Sequence, residues 1–305
     1  MTIVLAVESA TDAAGVALVD ERGVLAAVRV GRGRRHAETV APGVQAVCRY
    51  ADVPLARVAG VAVDVGPGLF TGLRVGIATA KGLAYGLGVP MVPVSSLRLL
   101  ADGAARFMVP GSLCTVLAVV DARRQEVFWA SYPLTGPAVD DAGLEASAGS
   151  PLRVGRPEEL DAGLEASAGS PPRVGRPEEL AVVLDALVAA AGALPPPVRS
   201  GASLPAQSGA SLPSRPLGVV LPRVLVVGDG ARRYAEVLRR PGVVLGAASL
   251  AYPSVELLGA MGVAELRAGR GVDPATVAAF YLREADARIN WERRAPRRAG
   301  AGDHG

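Results

Sequence analysis

The apolar positions of this chain fall into short continuous runs separated by turn residues, and between them into longer runs with helical spacing. Three extended runs open the sequence, Ile3 to Ser9, Gly15 to Asp20 and Val24 to Val30, with Arg22-Gly23 turning between the last two. Runs of this length with such boundaries predict an antiparallel meander. From Thr39 to Ala51 the positions Val40, Val44, Val47 and Ala51 share one helical face, and Pro42 is tolerated in the first turn. The run Val58 to Val65 has strand length and stops at the corner Gly66-Pro67-Gly68, beyond which a helical pattern covers Thr71 to Leu87. A short strand at Met91 to Val94 and a helix capped by Ser95 or Ser96 follow.

A second unit begins near Leu113 with strands at Leu113 to Asp121 and Glu126 to Tyr132 and a helix at Pro177 to Ala191. It resumes with the strand Arg223 to Val227, the turn Gly228-Asp229-Gly230, and helices at Ala231 to Arg239 and Ser254 to Ala268. Three strands, helix, strand, helix is a ribonuclease-H-like order, and the second half echoes it. The expected class is therefore α/β, with two ribonuclease-H-like lobes built on mixed sheets, residues 1–110 and 111–290. Asp141 to Leu160 is repeated as Asp161 to Leu180 with one difference, Leu152 against Pro172. Two near-identical copies are too few for a solenoid, so one copy of 141–180 reads as an excess surface segment. Residues 195–216 contain Ser-Gly-Ala-Ser-Leu-Pro twice, from Ser200 and from Ser208, and read as a flexible insertion. The Arg- and Gly-rich tail, 291–305, reads as disordered.

The helix from Thr71 is unusual in its volume pattern. Gly72, Gly76, Ala80 and Ala84 lie four apart, so one face has almost no side chains. A glycine inside a helix costs about 1 kcal/mol relative to alanine, so a close backbone contact must offset it. Spacing leaves two readings open, a partner helix or the chain's own sheet.

Composition narrows the function classes. With 305 residues, 50% of them hydrophobic, the chain can bury a large core. A net charge of +3 gives no strong footprint for nucleic acid, although the pI of 9.1 permits a local basic patch. Aromatics at 4% argue against a stand-alone RNA binder that stacks bases. Cys48 and Cys114 lack metal-ligand spacing and fit a reducing compartment. The start, Met1 to Glu8, has no basic leader and meets a carboxylate early, and no apolar run reaches the roughly 18 residues of a membrane span. A soluble, cytoplasmic protein with no membrane association is expected.

Six segments, Val7-Glu8-Ser9-Ala10-Thr11, Arg35-His36-Ala37-Glu38, Gly66 to Arg74, Val94-Ser95-Ser96-Leu97, Asp121-Ala122-Arg123-Arg124 and Tyr281-Leu282-Arg283, together resemble the TsaB (also called YeaZ) family of bacterial tRNA threonylcarbamoyladenosine biosynthesis proteins. The likeness covers about 1–135 and 220–287, and the glycine corner is its most specific part. It implies the actin, Hsp70 and sugar-kinase superfamily fold and kinship to the catalytic subunit TsaD. It also implies a supporting role in placing N6-threonylcarbamoyl on adenosine 37 of tRNA. The implied partners are TsaD and the ATPase TsaE, with tRNA reached through the complex; a homodimer is left open.

TsaD-like members hold a metal with two histidines four apart on the first helix, but the position four beyond His36 is Val40, and the other histidine, His304, lies in the tail. No metal site is therefore expected, and His36 reads as a residue of the helix start or the interface. Superfamily kinases place Mg2+ and phosphates with an acidic residue and hydroxyls in the first hairpin. Glu8, Ser9 and Thr11 stand there, but Glu8 replaces aspartate, the turn is not glycine-rich, and Ser9 and Thr11 read first as satisfying the turn's own backbone. Gly228 and Gly230 occupy the place of the adenosine loop and complete a vestigial nucleotide site. No cofactor is expected, and weak adenine-nucleotide binding stays open. The expected partner interface comprises His36, Val40, Val44 and Val47 on the first helix, with Thr71, Gly72, Arg74, Val75, Gly76 and Ala80 on the small-faced one. The expectation is a non-catalytic subunit with no catalytic residue; the alternative is a kinase-like ATPase or M22-type hydrolase of the same fold.

Overall fold

The computed structural model describes residues 1–31, 36–108, 113–135, 170–192 and 224–282. Strands β1 (Val4–Glu8), β2 (Ala14–Asp20) and β3 (Gly23–Val30) form the antiparallel meander. On the other side of β1, β4 (Gly60–Gly66) and β5 (Met91–Ser95) pair in parallel, giving the order β3-β2-β1-β4-β5. Alternation along the strands sends side chains to two cores. Leu5, Val7, Val61 and Val63 meet Val40 and Val47 of α1 (His36–Ala51) and Leu73 and Ala80 of α2 (Phe70–Leu87). Val4, Ala6, Ala17 and Ala62 face the opposite way.

The second sheet repeats this topology. β6 (Leu113–Arg123), β7 (Glu126–Thr135) and β8 (Arg173–Gly175) are antiparallel neighbours, and β9 (Val224–Val227) and β10 (Val243–Leu245) run parallel to β6, in the order β10-β9-β6-β7-β8. One face is covered by α4 (Pro177–Gly192), α5 (Asp229–Arg233) and α6 (Ala235–Leu238), through Leu180, Leu184, Ala231 and Leu238. The expected architecture of two ribonuclease-H-like lobes with mixed sheets is thus what forms. The single helix expected over Ala231 to Arg239 divides at Tyr234, whose φ of −109° and ψ of 28° are not helical.

The lobes do not divide where the sequence suggested. Helix α3 (Ser96–Ala105) belongs to the first half but packs Leu97, Leu100, Ala101 and Ala104 onto Val116, Ala118, Val120 and Phe128 of the second sheet. Helix α7 (Val255–Arg267) comes from the second half but lays Val255, Leu258 and Met261 on Val4, Ala6 and Ala62 of the first. The chain beyond α7 stays with the first lobe: Val272 pairs with Met91, Lys81 Nζ donates to the carbonyls of Ala275 and Val277, and Phe280 N–H donates to Val65 O. The range 111–290 is therefore not one lobe, because its last helix and the strand-like segment after it find their apolar partners in the other half.

The end of the second copy of the duplicated segment is built into the sheet: Ser170 and Ser131 exchange hydrogen bonds, Val174 pairs with Phe128 on the edge of β7, and Leu180 is fully buried. It is an edge strand and a helix start. The first copy, the insertion 195–216, the tail 291–305, Arg35 and Arg283 lie outside the described residues.

Candidate functional site

The end of β1 is locked to the start of α2. Ser9 Oγ donates to Gly72 O at 2.9 Å. A β-carbon at Gly72 would collide with Ser9 O, one at Gly76 with Ser9 Oγ, and one at Gly68 with Ala10 O. His36, the first residue of α1, is buried and meets Thr11 O through Nε2 at 2.7 Å, while Thr11 Oγ1 accepts from Ala13 N–H. The Thr11 hydroxyl therefore serves the turn itself, as expected, whereas the Ser9 hydroxyl ties the end of β1 to α2.

This geometry corrects the expected interface. Val40, Val47, Gly72, Gly76 and Ala80 lie in the chain's own interior, with Val44 and His36 nearly so. The small face of α2 exists so that the helix can sit against the end of β1, and no partner can reach it. Of the expected interface residues, Thr71 and Arg74 are exposed and Val75 is half-buried.

They belong to the opposite face of α2, which carries a second small stripe that the sequence reading did not single out. Ala78, Gly82 and Gly86 are also four apart and exposed, and a β-carbon at Gly82 or Gly86 would meet nothing within 4 Å. Tyr85 is 56% exposed beside them. At the helix start the Arg74 guanidinium lies 3.7 Å from the centre of the Phe70 ring, which in turn lies 5.3 Å from that of Tyr281. Helix α1 packs next to α2 and presents Ala41, Gln45 and Tyr50 to solvent.

Where the carboxyl ends of the two sheets converge, the structure gathers acids that the sequence did not connect. Glu8 is the last residue of β1 and Asp64 lies near the end of the neighbouring parallel strand β4, both buried. Asp64 Oδ1 accepts from Ser96 Oγ at 2.6 Å and from Gly66 N–H at 2.8 Å; its other oxygen has no hydrogen-bond partner among the described residues. Burial pushes Asp64 up to about 7, and burial together with the Asp64 charge holds Glu8 well above the usual carboxylate range. In the second lobe Asp229 Oδ1 accepts from Asp121 N–H at 2.9 Å, and burial pushes Asp229 up to about 7. Gly228 and Gly230 let this turn sit on β6: a β-carbon at Gly228 would collide with Val119 O, and one at Gly230 would lie 3.1 Å from Asp121 N.

The expected vestigial site is thus brought together across the cleft, with Glu8, Ser9 and Thr11 on one side and Gly228 and Gly230 on the other. It does not fit a magnesium nucleotide. Ser9 Oγ is spent on Gly72 O of α2 and Thr11 Oγ1 accepts from Ala13 N–H, the glycine faces are filled by β6, and Arg123 stands between the lobes, bonded to Asp12 and Asp121. Among the described residues no group of three or more His, Cys, Asp or Glu side chains is arranged to hold a metal ion, and no helix is long and apolar enough to cross a membrane.

Residues 30–153 match the family description of TsaD, tRNA N6-adenosine threonylcarbamoyltransferase. An uncharacterized protein of Mycobacterium bovis is 36% identical over 165 residues, 52% of this chain and 74% of that protein. The Escherichia coli tRNA threonylcarbamoyladenosine biosynthesis protein TsaB is 40% identical over 129 residues, 42% of this chain and 54% of that protein. In three dimensions YeaZ from Pseudomonas aeruginosa matches with a TM-score of 0.58 at 26% identity, covering 92% of this chain and 100% of that one. The chain belongs to the TsaB (YeaZ) family. Its match spans about half the length of the E. coli TsaB protein. In this TsaB-family chain Arg123 bridges the two lobes, and the outer face of α2 is exposed.

Proposed function

We propose that this chain is a non-catalytic subunit of the system that makes N6-threonylcarbamoyladenosine at adenosine 37 of tRNA, and that it binds the catalytic subunit TsaD through the outer face of α2, flanked by α1. The observation that carries this reading is the exposed stripe Ala78, Gly82, Gly86. A helical glycine costs about 1 kcal/mol relative to alanine, and among the described residues nothing contacts Gly82 or Gly86 to offset it. A second helix backbone approaching that stripe supplies the missing contact, with Arg74 and Tyr85 at its rim for polar and aromatic anchoring. Family membership supports the pathway, and the engagement of Ser9 Oγ by Gly72 O, with Arg123 between the two lobes, supports the non-catalytic role. The chain needs no cofactor of its own, works in the cytoplasm, reaches tRNA only through the complex, and is joined there by the ATPase TsaE. The same stripe is available to a second copy of the chain when TsaD is absent.

The test is reconstitution of adenosine-37 modification from TsaD, TsaE and a threonylcarbamoyl-adenylate source, with and without this chain, alongside a direct measurement of its binding to TsaD. The modification should depend on the chain. Full modification in its absence, or no binding to TsaD, would overturn the reading.

A further inference from the structure

The misfit of the cleft to a nucleotide points to something specific that takes its place. The turn joining β6 to β7 runs through Arg123, Arg124 and Gln125 with φ values of 65°, 53° and 62°. Three successive non-glycine residues in the left-handed region are uncommon, and such conformations persist only where the surroundings hold them. The turn folds the Arg123 side chain back over its own strand end. There Asp121 accepts from Arg123 N–H at 3.0 Å and from its guanidinium at 2.9 Å. The other end of the guanidinium reaches Asp12 in the β1–β2 turn of the first lobe. Arg233 adds a second cation to Asp121 at 3.2 Å, and Asp229 fixes the Asp121 backbone. Asp12 and Arg123 are 29% and 24% exposed, so the pair is shielded more than a surface ion pair.

The lobes are joined elsewhere by apolar packing, where α3 and α7 cross between them. Two lobes joined in that way can swing about the packed helices unless something ties them at the cleft. We infer that Arg123 is a built-in clasp that holds the interlobe cleft closed without a ligand, doing within the chain what a bound phosphate or cation would do between the two hairpin turns. The lobe angle is then a constant of the protein and not a response to nucleotide.

The test is the distance between nitroxide labels at Ala37, beside the first-lobe turn, and Gln125, in the second-lobe turn. It uses full-length protein with Cys48 and Cys114 replaced by serine. The parent should give one narrow distance that magnesium-ATP does not change. Arg123→Glu should lengthen and broaden it by several ångströms, and Arg123→Gln should do so to a lesser degree. Asp12→Arg combined with Arg123→Glu should restore the narrow distribution, because the guanidinium now supplied from the first-lobe turn can bridge Asp121 and the carboxylate introduced beside it. The melting temperature of each variant separates opening from unfolding. A distance unchanged in folded Arg123→Gln and Arg123→Glu, or shortened by magnesium-ATP in the parent, would overturn the inference.

Discussion

Helix α2 carries two stripes of small residues, and they have opposite fates. The inner one, Gly72, Gly76, Ala80 and Ala84, is buried, and its glycines stand where any side chain would strike Ser9. The outer one, Ala78, Gly82 and Gly86, faces open space. The two have the same spacing and nearly the same composition. The difference between them teaches that a small-residue stripe signals a close approach without saying what approaches. In this chain the inner approach is made by the end of β1, and the outer one is available to another molecule.

The strongest way to break that comparison is to add the same side chain to each stripe. Gly76→Leu drives a branched side chain into Ser9 and should cost folding stability on the order of 3 kcal/mol. Chemical denaturation would measure it. A variant as stable as the parent would show that the inner face is not packed as described. Gly82→Leu should leave the melting temperature within a degree or two of the parent, or raise it slightly through better helix propensity. Its binding to TsaD should weaken by roughly 100-fold, the affinity equivalent of overpacking a close helix contact. Titration calorimetry with both variants reads the two outcomes side by side. Loss of stability at Gly82 with normal binding would reverse the assignment of the faces.

A gentler probe tests the interior at the same corner without adding bulk. Asp64 has a folded-state pKa of about 7, above its unfolded value near 3.9, so its protonated form is the one that folding favours. Its contribution is fully present below about pH 4 and is lost as the pH rises through 7, amounting to about 1 kcal/mol between pH 6 and 7. Asp64→Asn should match the parent in acid and exceed it in stability at neutral pH. Equal pH dependence of the two proteins would show that Asp64 is not buried as a neutral acid.

The smallest effect is expected from shortening the repeat. Deleting Asp161 to Leu180 removes β8 and the start of α4, yet it brings Arg153-Val154-Gly155 and Pro157 to Leu160 into the same place in the chain. Deleting 141–160 instead gives a protein that differs only in having proline where the other has leucine. Halving a loop changes its closure cost by about 0.6 kcal/mol, so both deletions should melt within a few degrees of the parent. A large drop for one deletion alone would mean that the copies are not interchangeable.

Much of the fold was legible. Every strand of the first lobe follows from an apolar run bounded by turn residues, and the Gly66-Pro67-Gly68 corner announced the strand-to-helix reversal that the structure contains. The site was less so. Val40, Val44 and Val47 were rightly seen as one apolar face, but a periodic pattern cannot report whether its cover is internal. Asp64 and Asp12 stand out in no sequence pattern because single charges near turns are ordinary, and Arg123, though part of the Asp121 to Arg124 segment, lies 111 positions from Asp12. Ala78, Gly82 and Gly86 could have been found by the same four-residue rule that picked out the inner stripe, had both faces of the helix been read.

By itself, the sequence determined the local elements, their order and the fold class, because hydrophobic period and turn chemistry act over a few residues. It also determined the family, through motifs in which backbone geometry demands particular residues. Only the tertiary structure decided which of two equal stripes is core, that the end of the repeat's second copy becomes an edge strand, and that α3 and α7 exchange lobes. Each of those outcomes depends on which surfaces meet after the chain has closed long loops, and burial is a property of the meeting, not of the segment.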